Sequence, residues 1–427
     1  MKQKVNVINL GCSKNLVDAE LLMRQLERAG YGVEADAAGS TAEIVVLNTC
    51  GFIGDAKEES IDAILEQVER KQSGVVKRVF VMGCLSQRYA SELKQEIPGV
   101  DAWFGKFDWK GILAELGKQY DESSHERHLT TPSHYAYLKI SEGCDRTCSY
   151  CAIPLMTGRH ASREFGEITR EAAALAGSGV KELLVVAQDT TCYGIDLYGK
   201  NRLAALIDHL AGIPGVEWIR IHYAYPAGFP WELLDVMRAR PNVCNYLDIA
   251  LQHCTDHMLG LMRRGVTGGQ TRELVRRVRQ EVPGIALRTT LMTGHPGETA
   301  ADFREMLSFV KEMKFERLGV FPYSHEEGTY CHAHYRDDVP TRTKRARAAR
   351  VMECQRQLSA AFNERLLGQR VRVLIDRQEG DTYVGRTEFD SPEVDPEVIV
   401  PATRPLAIGA FHELTVTSVD DYDIYVA

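Results

Sequence analysis

From residue 5 to about residue 323, short apolar runs of strand character alternate with longer amphipathic stretches of helical character. Apolar runs without polar alternation are buried on both faces, so the pattern requires parallel sheets covered by helices. VNVINLG (5–11), EIVVLNT (43–49) and RVFVMG (78–83) lead into helical stretches at 17–29, 55–70 and 86–96. This first block, residues 1–130, predicts a doubly wound parallel sheet. Six further units follow in residues 131–365, with strands at 137–141, 182–188, 218–224, 246–252, 286–292 and 317–323. Repeated βα units of that number predict an open (βα)6 partial barrel with its active site at the carboxyl ends of the strands. The chain is therefore α/β, and its 427 residues with 44% apolar content suffice for several cores.

Residues 141–163 read SEGCDRTCSYCAIPLMTGRHASR and follow the first barrel strand. Cys144, Cys148 and Cys151 are spaced so that three thiolates can meet one face of an iron–sulfur cluster. A structural zinc site normally uses four ligands and a C-x2-C pair at each end, which this stretch lacks. A four-iron cubane held by three cysteines keeps one iron open to another ligand. CxxxCxxC with an aromatic residue, Tyr150, before the third cysteine resembles the radical S-adenosylmethionine superfamily. The resemblance implies a [4Fe–4S] cluster whose open iron chelates S-adenosylmethionine, a partial-barrel fold, and reductive release of a 5′-deoxyadenosyl radical.

Each of the three N-terminal strands is followed by a cysteine, namely Cys12, Cys50 and Cys84. Ligands bind such sheets beyond the carboxyl ends of the strands, where helix N-termini favour anionic thiolates. One cysteine there reads as a small core residue. Three at the same topological position predict a second three-cysteine cluster.

Polar residues at the barrel strand ends are candidates for binding S-adenosylmethionine or substrate. With Tyr150, they are Gln188 and Asp189, Tyr223, Gln252 and His253, and the loop GHPGET (294–299) with Gly294 and Glu298. AQDT stands where the superfamily often carries Gly–Glu, which departs from its usual contact to the amino group. Arg159 and Arg163 can pair with a carboxylate of the cofactor or with a neighbouring acid. Cys192, Cys244, Cys254, Cys331 and Cys354 show no ligand spacing and read as bystanders; Cys331, His332 and His334 follow the last strand and are not read as a metal site.

Residues 341–366 have helical composition and an arginine-rich first half, read as a solvated linker. Residues 366–427 change texture to short strands, VRVLI, YVGRTE, EVIVP, HELTVTSV and DIYV, and predict a small antiparallel β-barrel. From Leu367 onward there are 5 Lys+Arg against 12 Asp+Glu, concentrated in 388–398 and 419–423. An acidic barrel repels phosphates, which argues against a nucleic-acid partner, and attracts a basic polypeptide. No apolar run reaches transmembrane length. Eleven cysteines behind a start with no export signal predict a reducing, cytoplasmic setting.

Three N-terminal cysteines, a CxxxCxxC barrel and a small C-terminal barrel together resemble the methylthiotransferases along the whole chain, with their N-terminal, radical S-adenosylmethionine and TRAM (OB-like) domains. NLGCSKNLVDAE, AQDT, FPYSHEEGT (321–329) and GRTEFDSPEVD most resemble the branch that modifies an aspartate of the S-twelve protein of the small ribosomal subunit. His295 departs from the aromatic residue many relatives carry there. The resemblance implies two [4Fe–4S] clusters, S-adenosylmethionine as radical source and methyl donor, and methylthio insertion at the aspartate β-carbon. It also requires a sulfur donor and an electron donor that the residues do not identify. The competing readings are a tRNA adenosine methylthiotransferase and an iron–sulfur electron-transfer protein.

Overall fold

The computed structural model describes residues 2–122 and 126–427. Strands β1 (Lys4–Asn9), β2 (Gly32–Ala35), β3 (Ile44–Thr49), β4 (Arg78–Gly83) and β5 (Ala102–Trp103) form a sheet in the order β2-β1-β3-β4-β5. Every pairing in it is parallel. Alternating side chains serve two cores. Val5, Val7, Ile44, Val46 and Phe80 pack on α1 (Ser13–Arg28) and on Ile112 and Leu113. Val45, Leu47, Val79 and Val81 pack on α2 (Gly54–Gln72) and α3 (Cys84–Glu96). The two short strands β2 and β5 add to the three expected from sequence.

The second sheet is the expected six-stranded, all-parallel partial barrel. It comprises β6 (Tyr135–Lys139), β9 (Glu182–Val186), β10 (Trp218–Ala224), β11 (Val243–Gln252), β12 (Ala286–Thr293) and β13 (Arg317–Pro322), in the order β13-β12-β11-β10-β9-β6. Between β6 and β9, β7 (Ser141–Glu142) and β8 (Ala161–Ser162) pair antiparallel and bracket the CxxxCxxC loop. The outer face of the barrel packs against its helices in the largest core of the molecule. Helix Thr341–Glu364 is more than a solvated linker: Val351 and Cys354 join that core, and Lys344 is buried.

The inner face is capped from both ends. At the carboxyl end, Val17 of α1 packs on Tyr135, Tyr137, Leu184 and Val186. A buried charge network joins the same two bodies. Lys106 lies 3.1 Å from both Asp18 and Glu142, while Lys139 pairs with Asp18 and, at 2.8 Å, with Glu142.

At the other end sits a closed barrel in the order β14-β15-β16-β18-β17, formed by β14 (Arg370–Glu379), β15 (Thr382–Arg386), β16 (Val398–Pro401), β17 (Phe411–Val419) and β18 (Ile424–Val426). It is antiparallel except for one parallel pair, β16 with β18. Part of the acidic stretch between β15 and β16 turns toward the inner barrel, while Glu393 and Val394 stay exposed. Arg317 holds Asp390, Arg288 and the Tyr246 hydroxyl hold Asp395, and Arg220 donates to the carbonyls of Glu388 and Thr387. Buried arginines on strands draw these carboxylates inward, because an unpaired guanidinium there would be costly. Asp390 and Asp395 are thereby engaged within the chain and do not add to the acidic surface of this barrel. Among the described residues no helix is long and apolar enough to cross a membrane.

Candidate functional site

The N-terminal thiols lie where three strand ends meet helix starts. Cys12 caps α1, directly before Ser13, and Cys84 is the first residue of α3. Cys50 follows β3, its N–H bonded to the Ser60 hydroxyl at 3.0 Å. Gly83 has φ 102°, and a Cβ there would meet Thr49 backbone N and O at 2.5 Å. Only glycine turns the chain there from strand into helix and brings Cys84 to the sheet edge.

The three thiols feel one another. Burial pushes Cys84 up to about 12, and charge on Cys12 and Cys50 adds to this. Burial likewise raises Cys50, with Cys12 adding to it. Cys12 is exposed at the surface; loss of water to the surrounding protein works against its ionisation, but the Lys14 ammonium and the N–H groups of Asn15 and Lys14 outweigh it and hold that thiol below its ordinary value. Lys14 is itself fixed 3.5 Å over the Tyr223 ring.

The second triad lies on the loop between β7 and β8. Gly143, at φ 75°, passes against the carbonyl of Arg159, leaving no room for a side chain. Burial pushes Cys144 up to about 11 and Cys151 up to about 12, with Cys148 raising both. Arg264 anchors this loop: its Nη1 donates to Cys148 Sγ at 3.2 Å and to the Tyr150 hydroxyl at 3.1 Å, and its Nη2 donates to the Ala250 carbonyl. The Tyr225 hydroxyl lies 3.4 Å from Cys148 Sγ and donates to the Arg264 carbonyl at 2.9 Å.

One buried group links the two triad-bearing segments. Cys84 packs in one buried cluster with Ala152 and Met156, and Ala152 directly follows Cys151. An open cleft of about 390 Å³ is lined by Cys144, Cys148 and Cys151 with Arg146, Arg263 and Tyr330. No three His, Cys, Asp or Glu side chains among the described residues are placed to hold a single metal ion. A cubane is a different target, because each thiolate meets a separate iron at its own corner. Free, mutually interacting thiols fit such a group. Those held protonated by burial would release protons on binding it.

The other sequence candidates divide. Asp189 is buried, pairs with Arg146 Nε at 2.8 Å and accepts from Thr191 N–H at 2.9 Å. Gln188 donates to Glu142, while its buried Oε1 has no partner among the described residues. Gln252 ends β11 at φ 71° beside a register shift. Gly294 and Glu298 bind each other, the Gly294 N–H donating to Glu298 Oε2 at 2.6 Å, and Arg347 also pairs with Glu298. His253 Nε2 lies 3.5 Å from Glu298 Oε1, and neither atom has a hydrogen bond among the described residues. Arg159 pairs with Asp145 and Arg163 with Glu171, so both arginines meet neighbouring acids. His295 ties two loops together, lying 3.1 Å from the Ser149 hydroxyl and 3.4 Å from Cys331 Sγ.

Sequence reasoning missed Lys14, Arg146, Arg264 and Tyr225, which have no spacing signature. It also set aside Cys192, whose Sγ lies 3.2 Å from both Asp189 Oδ2 and Arg146 Nη2 at the same site.

Residues 4–105 match the family described as uncharacterized protein family UPF0004, residues 138–310 the Radical SAM superfamily and residues 367–427 the TRAM domain. Among solved structures, the radical S-adenosylmethionine methyltransferase TsrM of Kitasatospora setae has a TM-score of 0.55 at 15% identity, covering 75% of this chain and 73% of that one. That likeness concerns the fold. The chain is 58% identical to the ribosomal protein uS12 methylthiotransferase RimO of Porphyromonas gingivalis, covering 99% of this chain and 98% of that protein. It is 51% identical to the protein of the same name from Flavobacterium johnsoniae, with the same coverage. With relatives this similar over its whole length, the chain belongs to the family of ribosomal protein uS12 methylthiotransferases RimO.

Proposed function

We propose that this chain is a radical S-adenosylmethionine methylthiotransferase that inserts a methylthio group at the β-carbon of an aspartate of ribosomal protein uS12. The observation that carries the reading is the buried group shared by Cys84, Ala152 and Met156, which links the two thiol-bearing segments in a chain of this family. Cys144, Cys148 and Cys151 would hold one [4Fe–4S] cluster, and Cys12, Cys50 and Cys84 an auxiliary one. Once bound, these groups supply the electron that cleaves S-adenosylmethionine and a place for the sulfur that is inserted.

The protein's own part is positioning and exclusion of water. Arg264 holds Cys148 and Tyr150 through Nη1 and the Ala250 carbonyl through Nη2, a planar fork whose geometry a flexible ammonium does not reproduce. The buried Lys106–Asp18–Lys139–Glu142 network and the α1 contact close the inner barrel from above, shielding a radical from solvent. S-adenosylmethionine would meet the carboxyl rim at Tyr150, Gln188, Asp189 and Gln252. The unpartnered Gln188 Oε1 is suited to accept from its amino group. Gly294 and Glu298 would act through the shape of their loop.

We place the domains at 1–130, 131–365 and 366–427, and the protein in the cytoplasm. The C-terminal barrel would meet the basic ribosomal protein through its exposed carboxylates Glu379, Asp381, Glu413 and Asp420. The test is to reconstitute the full chain, reduce it with S-adenosylmethionine present, and offer either unmodified uS12 or tRNA. 5′-Deoxyadenosine together with methylthio-aspartate in uS12 is expected. A methylthio group found in tRNA alone would overturn the reading.

A further inference from the structure

Three arginines line the cleft beside Cys144, Cys148 and Cys151. Two are already engaged: Arg146 with Asp189 at 2.8 Å, and Arg159, lying out in solvent, with Asp145 at 3.2 Å. Arg263 differs. Among the described residues no carboxylate pairs with it; its guanidinium stacks 4.3 Å over the ring of Tyr330, which lines the same cleft.

The backbone presents this side chain deliberately. Arg263 has φ 55°, a left-handed conformation that non-glycine residues rarely adopt unless their surroundings impose it. Here they do. The N–H groups of Arg263 and Arg264 donate to the carbonyls of Gly260 and Leu259 at 3.0 Å each, and Ser149 N–H donates to the Met262 carbonyl at 3.0 Å. That last bond ties the turn to the CxxxCxxC loop. Met262 and Arg264 on either side are buried, so residue 263 alone faces outward.

A target aspartate brings an ionised carboxylate one bond from the carbon to be modified, into the cleft beside the CxxxCxxC loop. Such a group needs a cation without another partner. We infer that Arg263, steadied by Tyr330, is the anchor for the carboxylate of the target aspartate, and thus a specificity-determining residue. This inference rests on the function proposed above.

The test uses the reconstituted full-length protein and labelled uS12 carrying either aspartate or asparagine at the modified position. Wild type is expected to bind the aspartate form about ten-fold or more tightly than the asparagine form. Arg263→Gln should bring the ratio to about one, and Arg263→Lys should recover part of it. Arg263 is exposed, so these variants fold; thermal melts verify it.

An aspartate preference that persists in Arg263→Gln, or one absent from wild type, overturns the inference. So does a raised KM for S-adenosylmethionine in peptide-free cleavage with the preference intact, which would assign the guanidinium to the methionyl carboxylate instead. A wild-type protein that leaves uS12 unmodified fails the function reading, which is a separate result from a wild type that modifies uS12 while Arg263→Gln keeps the preference.

Discussion

Asp390 of the C-terminal barrel accepts from Nε and Nη2 of Arg317, at 2.9 and 2.5 Å, with both side chains only 5% exposed. An acidic segment of the chain thus closes the lower mouth of its own partial barrel. Removing one member of a buried pair strands the other charge, at a cost of about 3–5 kcal/mol. Asp390→Ala is therefore expected to lower the stability read by urea denaturation by that order, and the double change Asp390→Leu with Arg317→Leu by much less. Equal stability of Asp390→Ala and wild type would contradict this role.

The same interface should be acid-labile. Burial opposes the charge of Asp248, but Arg288 and His222 prevail and hold its carboxyl down to about 2. Asp376, beside His134 and Arg386, and Glu182, between Arg386 and Arg220, are also lowered against burial. Folded values below the unfolded ones, near 4 for carboxylates, give stability that is present above about pH 4 and lost as pH falls toward about 2. Trp218 lies 4.7 Å from Phe411 at this junction and reports on it. Its fluorescence, isolated by difference against Trp218→Phe, should change over that window; a signal flat down to pH 2 would refute the linkage.

Arg264 serves Cys148, Tyr150 and Ala250 from one buried guanidinium. Arg264→Lys keeps the charge but loses the fork, and 5′-deoxyadenosine formation is expected to fall about ten-fold or more. Arg264→Lys activity within two-fold of wild type would show that charge alone is what matters there.

Gly83 offers a backbone test of the first triad. Gly83→Ala forces a Cβ onto the Thr49 backbone at a positive φ, which should cost about 1–3 kcal/mol and displace Cys84. The variant should lose the visible absorbance of the N-terminal cluster while the CxxxCxxC cluster remains. Full absorbance in both would count against the turn's importance.

How far the sequence could be read depended on where the signal lay. Cys12, Cys50 and Cys84 were legible as a set because apolar runs mark strands and the topology rule brings strand ends together. The barrel strands were legible for the same reason, whereas β2 and β5, with four and two residues, are too short to leave a pattern. The acidic stretch was legible as charge but not as direction. Its partners Arg220, Arg288 and Arg317 come from three strands far apart in the chain, and only folding brings them beneath it. Cys192 and Arg264 reach the site the same way, each through contacts with residues distant in sequence.

The central claim is that two separate thiol triads, linked by the buried group of Cys84, Ala152 and Met156, each hold one cluster. Iron content and electron paramagnetic resonance of three anaerobically reconstituted proteins test it: wild type, the Cys12/Cys50/Cys84→Ala triple and the Cys144/Cys148/Cys151→Ala triple. The account predicts about eight irons in wild type and about four in each triple, with distinct spectra for the two that remain. Two folded triples that both keep the wild-type iron content, or a wild type that never exceeds four, would contradict it.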